Sequence, residues 1–432
     1  MRTTYQSKRK SIDESMLISD MRSYFDQLPD PRASNIVHQL ADVLLSAFAI
    51  FKFKYPSLLQ FEQQSRTEAN NIKALFGLAK VCSDAQMRRI IDVLEPSYFQ
   101  ELLQRQSDLL QSTGIARDYR WLDKYMLISL DGVHYFRSTK VHCENCQSWT
   151  IQNGEPVYQH SMLAAVMVHP LKKEVFPIGS EDIHRQDGSQ KNDCELKAVA
   201  RLQDQLAQKW ADQSLLFIED ALYANSPHIE AILSRGWDFL ITVKPASHPV
   251  LFEEYEQRRA KKNYEHRTFK EGNRQYRLRW INEVNFLRRN SPSVNFLHCE
   301  QISQGKHQHF SWISSIPITR TNVLFLMQAA RARWKIENET FNTLKNQGYH
   351  FEHNYGHGYQ HLSNNLAQLM LLAFYQDQLL QYCSKTFRAI WHAAKSKKRL
   401  WESYRAFLIT TPLKSFKELN EKMIVLYQVW II

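Results

Sequence analysis

The chain has 432 residues, of which 44% are hydrophobic and 12% aromatic, a composition that argues against wholesale disorder and allows a sizeable core. Its 55 Lys and Arg residues outnumber 44 Asp and Glu residues, and the net charge of +11 indicates an anionic partner such as nucleic acid. Six cysteines in so long a chain exclude a disulfide framework, and the longest apolar stretch, VLLSAFAIF (residues 43–51), is too short to cross a bilayer. No apolar run follows the basic residues of the N-terminus, so we expect no targeting segment and a cytoplasmic protein.

The first 120 residues are predicted to be helical. Apolar residues recur at spacings of three and four over residues 38–64 and 83–110. Basic residues, among them Lys52 and Lys54, are scattered over this region. These features fit a helical N-terminal DNA-binding domain over residues 1–120, and they fit a helical bundle with a solvated surface equally well.

The pattern changes near Trp121, where strands begin. An apolar run with β-branched and aromatic members predicts a buried strand over residues 126–136, and VYQHSMLAAVMVHP and KKEVFPIGS predict a hairpin. An amphipathic helix, a second buried strand (SLLFIED), another helix and a third strand (DFLITVKP) follow. This order predicts an α/β fold with a mixed sheet flanked by helices, of which residues 121–244 form the first part.

Three further segments complete the predicted organisation. Residues 245–320 are basic, contain stretches of period two and predict a β-rich insertion. Residues 321–380 return to helical periodicity and form the second part of the core, with the acid-bearing stretch RARWKIENETFNTLKNQGY. Residues 381–432 are predicted to be a basic, helical C-terminal tail.

Two aspartates follow apolar runs in the first part of the core. Asp131 comes after LISL, and Asp220 comes after LLFIE. A buried strand that ends on a carboxylate delivers it to the edge of the sheet, where ligands bind in open α/β sheets. The alternative for each residue is a turn or capping aspartate at the end of a strand.

Glu337 is the predicted third acid. On an α-helix Arg333, Glu337 and Phe341 share one face, whereas Glu339 lies about 200° around the axis and points away. Three carboxylates suit Mg²⁺ or Mn²⁺ rather than zinc. Two such ions about 3.5–4 Å apart can clamp the attacking and leaving oxygens of a phosphodiester. Arg333 would then neutralise the phosphate; the alternative is a solvated helix of mixed charge.

These residues resemble the acid triad of bacterial insertion-sequence transposases of the DDE type. The resemblance spans residues 38 to 375 and is carried by SLDGVHYF, FIEDALYAN and RARWKIENETFNTLKNQGYHFEHNYGHG. It implies a ribonuclease-H-like catalytic domain with a β-rich insertion between the second Asp and the Glu. It places the catalytic, metal-binding acids on Asp131, Asp220 and Glu337.

The resemblance also implies a mechanism and partners. Metal-activated water cleaves a phosphodiester at the element's end, and the freed 3′-OH attacks target DNA on the same two ions, without a protein-linked intermediate. The partner is double-stranded DNA, both inverted-repeat ends and target. A homodimer in the synaptic complex and association with the bacterial nucleoid are further implications.

The family's helix signature is Tyr, two residues, Arg, three residues, Glu, six residues, Lys. Arg333 and Glu337 satisfy its centre, Ala330 occupies the Tyr position, and Lys345 comes one residue later than expected. Two aromatics, Tyr223 and Trp334, could stack on splayed bases, with a place in the core as the alternative for each. The side chains expected to contact DNA are Arg331, Arg333, Lys335, Lys345, Lys244, Tyr223 and Trp334.

A metal site of another kind is indicated by VHCENC. Cys143 and Cys146, with His142 and with His160 on the next predicted strand, could hold a structural zinc ion. The alternative is a pair of reduced thiols in a hairpin loop. A later stretch, NYGHGYQH, contains His357 between two glycines and predicts a structural or phosphate-contacting turn.

Two other functions remain open at this point. A metal-dependent nuclease of the same fold would hydrolyse DNA without strand transfer. A DNA-binding protein descended from a transposase would have lost catalysis, although its three acids argue against this. Flanking inverted repeats beside the coding region would distinguish the transposase from the nuclease.

Overall fold

The structure is a computed structural model that describes residues 2–32, 36–187, 191–286, 292–353 and 355–430. Within these ranges, helices precede an α/β region, and more helices follow it. None of the helices in the described ranges combines the length and the apolar character needed to span a membrane.

Helices form the N-terminal region where the spacing of apolar residues predicted them. Ser57 caps one of them by accepting a hydrogen bond from Gln60 N, and Gly77 ends the same helix with a φ of 64°. Ser83 stands at the N-cap position of the next. The helices are α1 (Arg2–Lys10), α2 (Glu14–Phe25), α3 (Leu40–Lys52), α4 (Leu58–Phe76), α5 (Asp84–Asp92), α6 (Ser97–Ser112) and α7 (Ile115–Asp118).

The strands of the described ranges form one sheet, and two of them, at residues 176–183 and 215–219, are buried over their whole length. They are β1 (Arg120–Trp121), β2 (Tyr125–Ser138), β3 (Gln147–Thr150), β4 (Pro156–Met167), β5 (Phe176–Ile183), β6 (Leu215–Glu219), β7 (Asp238–Thr242), β8 (Glu265–Glu271), β9 (Arg274–Asn285), β10 (Ser293–Ser303) and β11 (Lys306–Ser314). The order is β3-β4-β2-β6-β7-β11-β10-β9-β8, with β5 also paired to β4 and β1 to β2.

The sheet is mixed, as predicted. Strands β2, β4 and β5 are antiparallel neighbours, whereas β6 and β7 run parallel to β2. The predicted insertion contributes four antiparallel strands that extend this sheet, because β11 pairs with β7. This arrangement agrees with the ribonuclease-H-like fold implied by the resemblance.

The remaining helices cover the sheet and complete the chain. They are α8 (Lys191–Lys209), α9 (Ser226–Ser234), α10 (Pro249–Ala260), α11 (Val323–Ala332), α12 (Asn342–Asn346), α13 (Leu362–Cys383), α14 (Lys385–Ala393), α15 (Lys397–Thr410) and α16 (Phe416–Tyr427). A short 3₁₀ helix covers Arg185–Asp187, and a π-helical segment covers Ile336–Phe341.

Helix α13 lies at the centre of the molecule, with almost every residue buried. A helix buried on all faces must find partners for its polar side chains on each side. Asn365 donates to the carbonyls of Ile91 and Leu94 in the N-terminal region, at 2.8 Å each, and Gln368 accepts from Ser180 of β5 at 2.7 Å. Hydrogen bonds therefore join α13 to both the N-terminal helices and the sheet.

A buried charge cluster strengthens this connection. Asp377 of α13 forms ion pairs with Lys52, at 3.0 Å, and with Lys54, and it accepts a hydrogen bond from the Tyr349 hydroxyl at 2.6 Å. Both lysines are at most 5% exposed. Lys52 and Lys54, which the sequence placed among the scattered basic residues of the helical region, thus face the core and are unavailable to DNA.

Candidate active site

Two of the predicted acids lie where the parallel pairing of β2 and β6 ends. Ser129 of β2 pairs with Ile218 of β6, and β6 ends one residue later. Continuing this register by two residues brings Asp131 beside Asp220. The strand predicted over residues 126–136 is confirmed, because β2 continues to Ser138 by pairing with β4, so Asp131 lies inside this strand and not at its end. Its carboxylate still lies at the edge of the parallel pair.

The electrostatics of Asp131 show that the acids lie close together. The pKa of Asp131 is raised to about 7, first by burial and next by the charge of the nearby Glu337 carboxylate. Arg333 opposes this shift, whereas the charges of Asp220 and Glu195 add to it. Two segments that are distant in sequence from β2 therefore bring their carboxylates close enough to Asp131 for their charges to act on it.

Glu337 lies in the π-helical segment between α11 and α12. The sequence predicted a regular α-helix with Arg333, Glu337 and Phe341 on one face. The structure confirms that Arg333 and Glu337 share a face, since Arg333 Nη1 donates to Glu337 Oε1 at 2.8 Å. Glu337 and Phe341 both lie in the π segment, whose i→i+5 hydrogen bonds change the rotation per residue about the helix axis. π segments of this kind occur frequently at functional sites.

The two glutamates of this segment have different neighbours, as the sequence predicted. The side chain of Glu337 is 38% exposed and lies beside Arg333 and Asp131. Glu339 instead interacts electrostatically with Lys335, whose pKa is lowered by burial and raised by that carboxylate. Lys335 donates to the carbonyl of Lys172. Of the two acids, Glu337 is the one that faces Asp131.

A fourth acid, Glu195 of α8, was missed by the sequence analysis. A Cβ on Gly132 would lie 2.8 Å from Glu195 Oε1, so the carboxylate rests against β2 immediately after Asp131. Only a residue without a side chain allows this approach. The signal was present in SLDGVHYF, where a glycine inside a strand marks a close approach by another group.

The side chains predicted to contact DNA lie in different environments. Tyr223 is 1% exposed and packs against His228, so the expectation that it stacks on DNA bases was wrong. Arg333 is also buried, at 8% exposure, and contacts Glu337 and the ring of Trp334. Lys345 pairs with Glu352 at 2.7 Å.

An open cleft of about 1030 Å³ adjoins the π segment on the side of the insertion. Trp334, which is 49% exposed, and Lys244 line it, so these two predicted DNA contacts share one surface. Arg331 lies at its border, over the ring of Phe310 and hydrogen bonded to Gln301 at 2.8 Å. The other cations of the lining are Arg259, Lys262, Arg277 and Arg279.

The cysteine and histidine residues form a second cluster. Cys143, Cys146 and His160 converge as predicted, and His357 completes the group, with one ligand atom from each residue within 4.8 Å of every other. His142 does not belong to it, because its ring stacks on Tyr158 with centroids 4.2 Å apart. Among the described residues, no other group of three or more His, Cys, Asp or Glu is as tight.

Comparison with known proteins identifies one family. The family model described as the transposase DDE domain matches residues 138–375, more than half of the chain, and the match includes Asp220 and Glu337 but begins after Asp131. No curated protein matches the sequence. A solved piggyBac transposase synaptic complex with hairpin DNA is similar over 98% of this chain and 81% of that chain, at 10% identity and a TM-score of 0.41. A likeness at that score supports no statement about function.

Proposed function

The chain belongs to the transposase DDE domain family, and from that premise we propose that it is the DNA transposase of a bacterial insertion sequence. It binds the element's ends, cleaves phosphodiesters there and transfers the released 3′-OH strand into target DNA. Its working state is a homodimer that holds two ends, on DNA of the bacterial nucleoid.

Asp131, Asp220 and Glu337 are the proposed catalytic acids, and they would hold two Mg²⁺ or Mn²⁺ ions. Their donors are all carboxylate oxygens, the ligands that these hard cations prefer. When bound, the two ions would stabilise charge on the attacking and leaving oxygens of a phosphodiester. Burial and, after it, repulsion by the Glu337 and Asp220 carboxylates raise the pKa of Asp131, and a cation between the carboxylates would relieve that repulsion, which supports this assignment.

The three acids do not form a tightly closed group. Their oxygens are not among the groups of the described residues that lie within 4.8 Å of one another. A site for two ions about 3.5–4 Å apart spreads its carboxylates over both, so its ligands need not all meet. Arg333, paired with Glu337 at 2.8 Å, would hold the glutamate towards the aspartates and offset their charge.

The cleft beside the π segment is the proposed DNA surface. Its lining combines an exposed aromatic ring, Trp334, with cations that include Lys244, Arg277 and Arg279. Cations neutralise phosphates, and an exposed ring can stack on a splayed base. With Tyr223 buried, Trp334 is the aromatic of the predicted set that DNA can reach.

The observation that carries the proposal is the approach of Asp220 and Glu337 to Asp131 where the parallel pairing of β2 and β6 ends. The test is incubation of the purified chain with DNA that bears the element's ends, in Mg²⁺ or in Ca²⁺. We expect Mg²⁺ to give free 3′-OH ends and joined products, and Ca²⁺ to permit binding alone. Glu337→Gln should bind without cleaving, and Glu339→Gln is the matched control that should remain active.

The outcomes separate the proposed function from its alternatives. Cleavage without joining would identify a nuclease of the same fold. DNA binding without cleavage in either metal would identify a non-catalytic protein. Loss of binding together with cleavage in Glu337→Gln would show that this acid supports the structure and not the reaction.

A further inference from the structure

The cluster of Cys143, Cys146, His160 and His357 combines donors from three separate parts of the chain. The two cysteines lie in the loop between β2 and β3, His160 lies on β4, and His357 lies in the segment that precedes α13. Cys146, His160 and His357 are at most 7% exposed, and Cys143 is partly buried. Burying thiol and imidazole groups costs free energy unless they form hydrogen bonds or coordinate a metal ion.

Five of the six distances between the ligand atoms lie within about 0.3 Å of the edges of a zinc tetrahedron, and the sixth, between Cys143 Sγ and His357 Nε2, is within 4.8 Å. Tetrahedral zinc, with its usual bond lengths, requires about 3.8 Å between two sulfurs, about 3.6 Å between sulfur and nitrogen, and about 3.4 Å between two nitrogens. The two Sγ atoms are 3.9 Å apart, and the two Nε2 atoms are 3.2 Å apart. His160 Nε2 lies 3.4 Å from Cys143 Sγ and 3.3 Å from Cys146 Sγ, which in turn lies 3.3 Å from His357 Nε2.

We infer that this chain binds one structural zinc ion through Cys143, Cys146, His160 and His357. Two thiolates and two imidazoles are a common ligand set for tetrahedral zinc, and two residues between the cysteines is a usual spacing. All four positions are filled by protein, so no position remains for water or substrate. The site is therefore structural, and it is distinct from the carboxylates proposed to hold Mg²⁺.

The surroundings of the cluster orient its ligands. His357 Nδ1 lies 2.9 Å from the carbonyl of Gly358, which can only accept, so the proton is on Nδ1 and the lone pair of Nε2 faces the cluster. The backbone N–H of Cys143 donates to Cys146 Sγ at 3.5 Å, a contact that favours thiolate. Phe136, with its ring centroid 4.5 Å from that of His357, shields the cluster.

A disulfide between the two cysteines explains the geometry less well. Their sulfurs are 3.9 Å apart, nearly twice the S–S bond length of about 2.05 Å. A disulfide would also leave His160 Nε2 and His357 Nε2 facing each other at 3.2 Å with no shared partner. A central cation satisfies all four groups together.

Zinc at this point would join segments that carry the acids. Strand β2 holds Asp131 and leads into the cysteine loop, and His357 follows the π segment that holds Glu337. The backbone of this later segment is anchored independently by Asp92, which accepts the N–H groups of residues 359–362 at 2.9–3.1 Å. A Cβ on Gly358 would lie 2.2 Å from Asp92 Oδ1, so this turn requires glycine.

The test is the metal content of the purified full-length chain, measured by elemental analysis without DNA and therefore independent of the proposed function. We expect about one zinc ion per chain in the wild type. Loss of a group that only hydrogen bonds to a metal ligand weakens metal binding roughly 10–100-fold. Cys146→Ser and His357→Ala each remove a ligand itself and should weaken zinc binding by more than this. His142→Ala and Cys383→Ser are the matched controls and should keep their zinc.

Cobalt provides a second measurement that does not depend on the variants folding. Wild-type protein stripped of metal and loaded with Co²⁺ should show the visible absorption of tetrahedral cobalt and a sulfur-to-cobalt charge-transfer band. Absence of zinc from the wild type together with absence of this spectrum would overturn the inference. So would zinc retained by folded His357→Ala, or a Cys143–Cys146 disulfide found in the protein as purified under reducing conditions.

Discussion

Two clusters of polar side chains lie along strand β2, and they differ in how closely their members meet. Around Asp131 the carboxylates of Asp220 and Glu337 are close enough to change its pKa, yet they remain a loose group. Around Phe136, in contrast, four sulfur and nitrogen donors lie within 4.8 Å of one another. Asp131 and Phe136 lie on the same strand, only a few residues apart.

The difference fits the two uses of a metal ion that we propose for these clusters. A structural site fills every coordination position with protein, which requires close and buried donors. A catalytic site must leave positions open for substrate, so its ligands stay apart and partly exposed, as the 38% exposure of Glu337 illustrates. Under the proposed function, cations and DNA would relieve the repulsion that the other carboxylates exert on Asp131, whereas the sulfur and nitrogen donors already lie within 4.8 Å of one another.

The largest expected effect is loss of catalysis on removing a carboxylate. Asp131→Asn, Asp220→Asn and Glu337→Gln should each lower DNA cleavage by roughly 1,000-fold or more, because a metal ion contributes several kcal/mol to the transition state. Single-turnover cleavage of end-bearing DNA measures this, with Glu339→Gln as the control. Cleavage within tenfold of wild type in any of the three variants would remove that residue from the site.

The two clusters should respond oppositely when stability is measured. Cys146→Ser should lower the free energy of unfolding by several kcal/mol, since it breaks a closed metal site. Asp131→Asn should leave the free energy of unfolding unchanged or raise it by about 0.5–2 kcal/mol, because it removes a buried charge among like charges. Thermal unfolding measures both. A fall of similar size in both variants would contradict the distinction between them.

Glu195 should have an intermediate effect. Because its carboxylate lies against Gly132 beside Asp131, Glu195→Gln should lower activity by roughly 10–100-fold, as for groups that support metal ligands. We expect the loss to be reduced at higher Mg²⁺ concentration, which a metal titration of the cleavage rate would reveal. The same loss at every Mg²⁺ concentration would mean that Glu195 does not act through the metal.

The smallest expected effect concerns DNA affinity. Trp334→Ala should weaken binding by about 1–3 kcal/mol if one base stacks on the exposed ring, whereas Tyr223→Phe should change nothing because its ring is buried. Binding isotherms at fixed salt concentration compare the two. Equal losses would mean that the cleft beside Trp334 is not the DNA surface.

Periodicity predicted most elements of the core, because both its strands and its helices bury continuous apolar faces. It predicted β2, β6 and β7, the hairpin of β4 and β5, and helix α8. It predicted that β2 passes Asp131, over residues 126–136, but not its end at Ser138, since strand ends depend on the neighbouring strand as well as on the strand's own residues. It also could not show that the insertion extends the core sheet, because pairing of β11 with β7 is a tertiary contact.

The candidate sites were predictable to the extent that local spacing defines them. Cys143, Cys146 and His160 are close in sequence, whereas His357 is almost 200 residues from His160 and only folding brings it there. The π segment left one trace, the arrival of Lys345 one residue later than the family signature expects. A π segment uses one residue more per hydrogen-bonded turn than an α-helix. This segment, Ile336–Phe341, overlaps the stretch between Glu337 and Lys345, where the extra residue occurs.

The ion pairs of Asp377 have a consequence for dissecting the molecule. Removing the helices before β1 would take away Lys52 and Lys54 and leave an uncompensated carboxylate inside α13, at a cost of roughly 3–5 kcal/mol. The excised helices would in turn carry two unpaired ammonium groups on a surface built for the interior. Neither fragment is therefore a detachable module, and chimeras that exchange this region between relatives should carry α13 along with it.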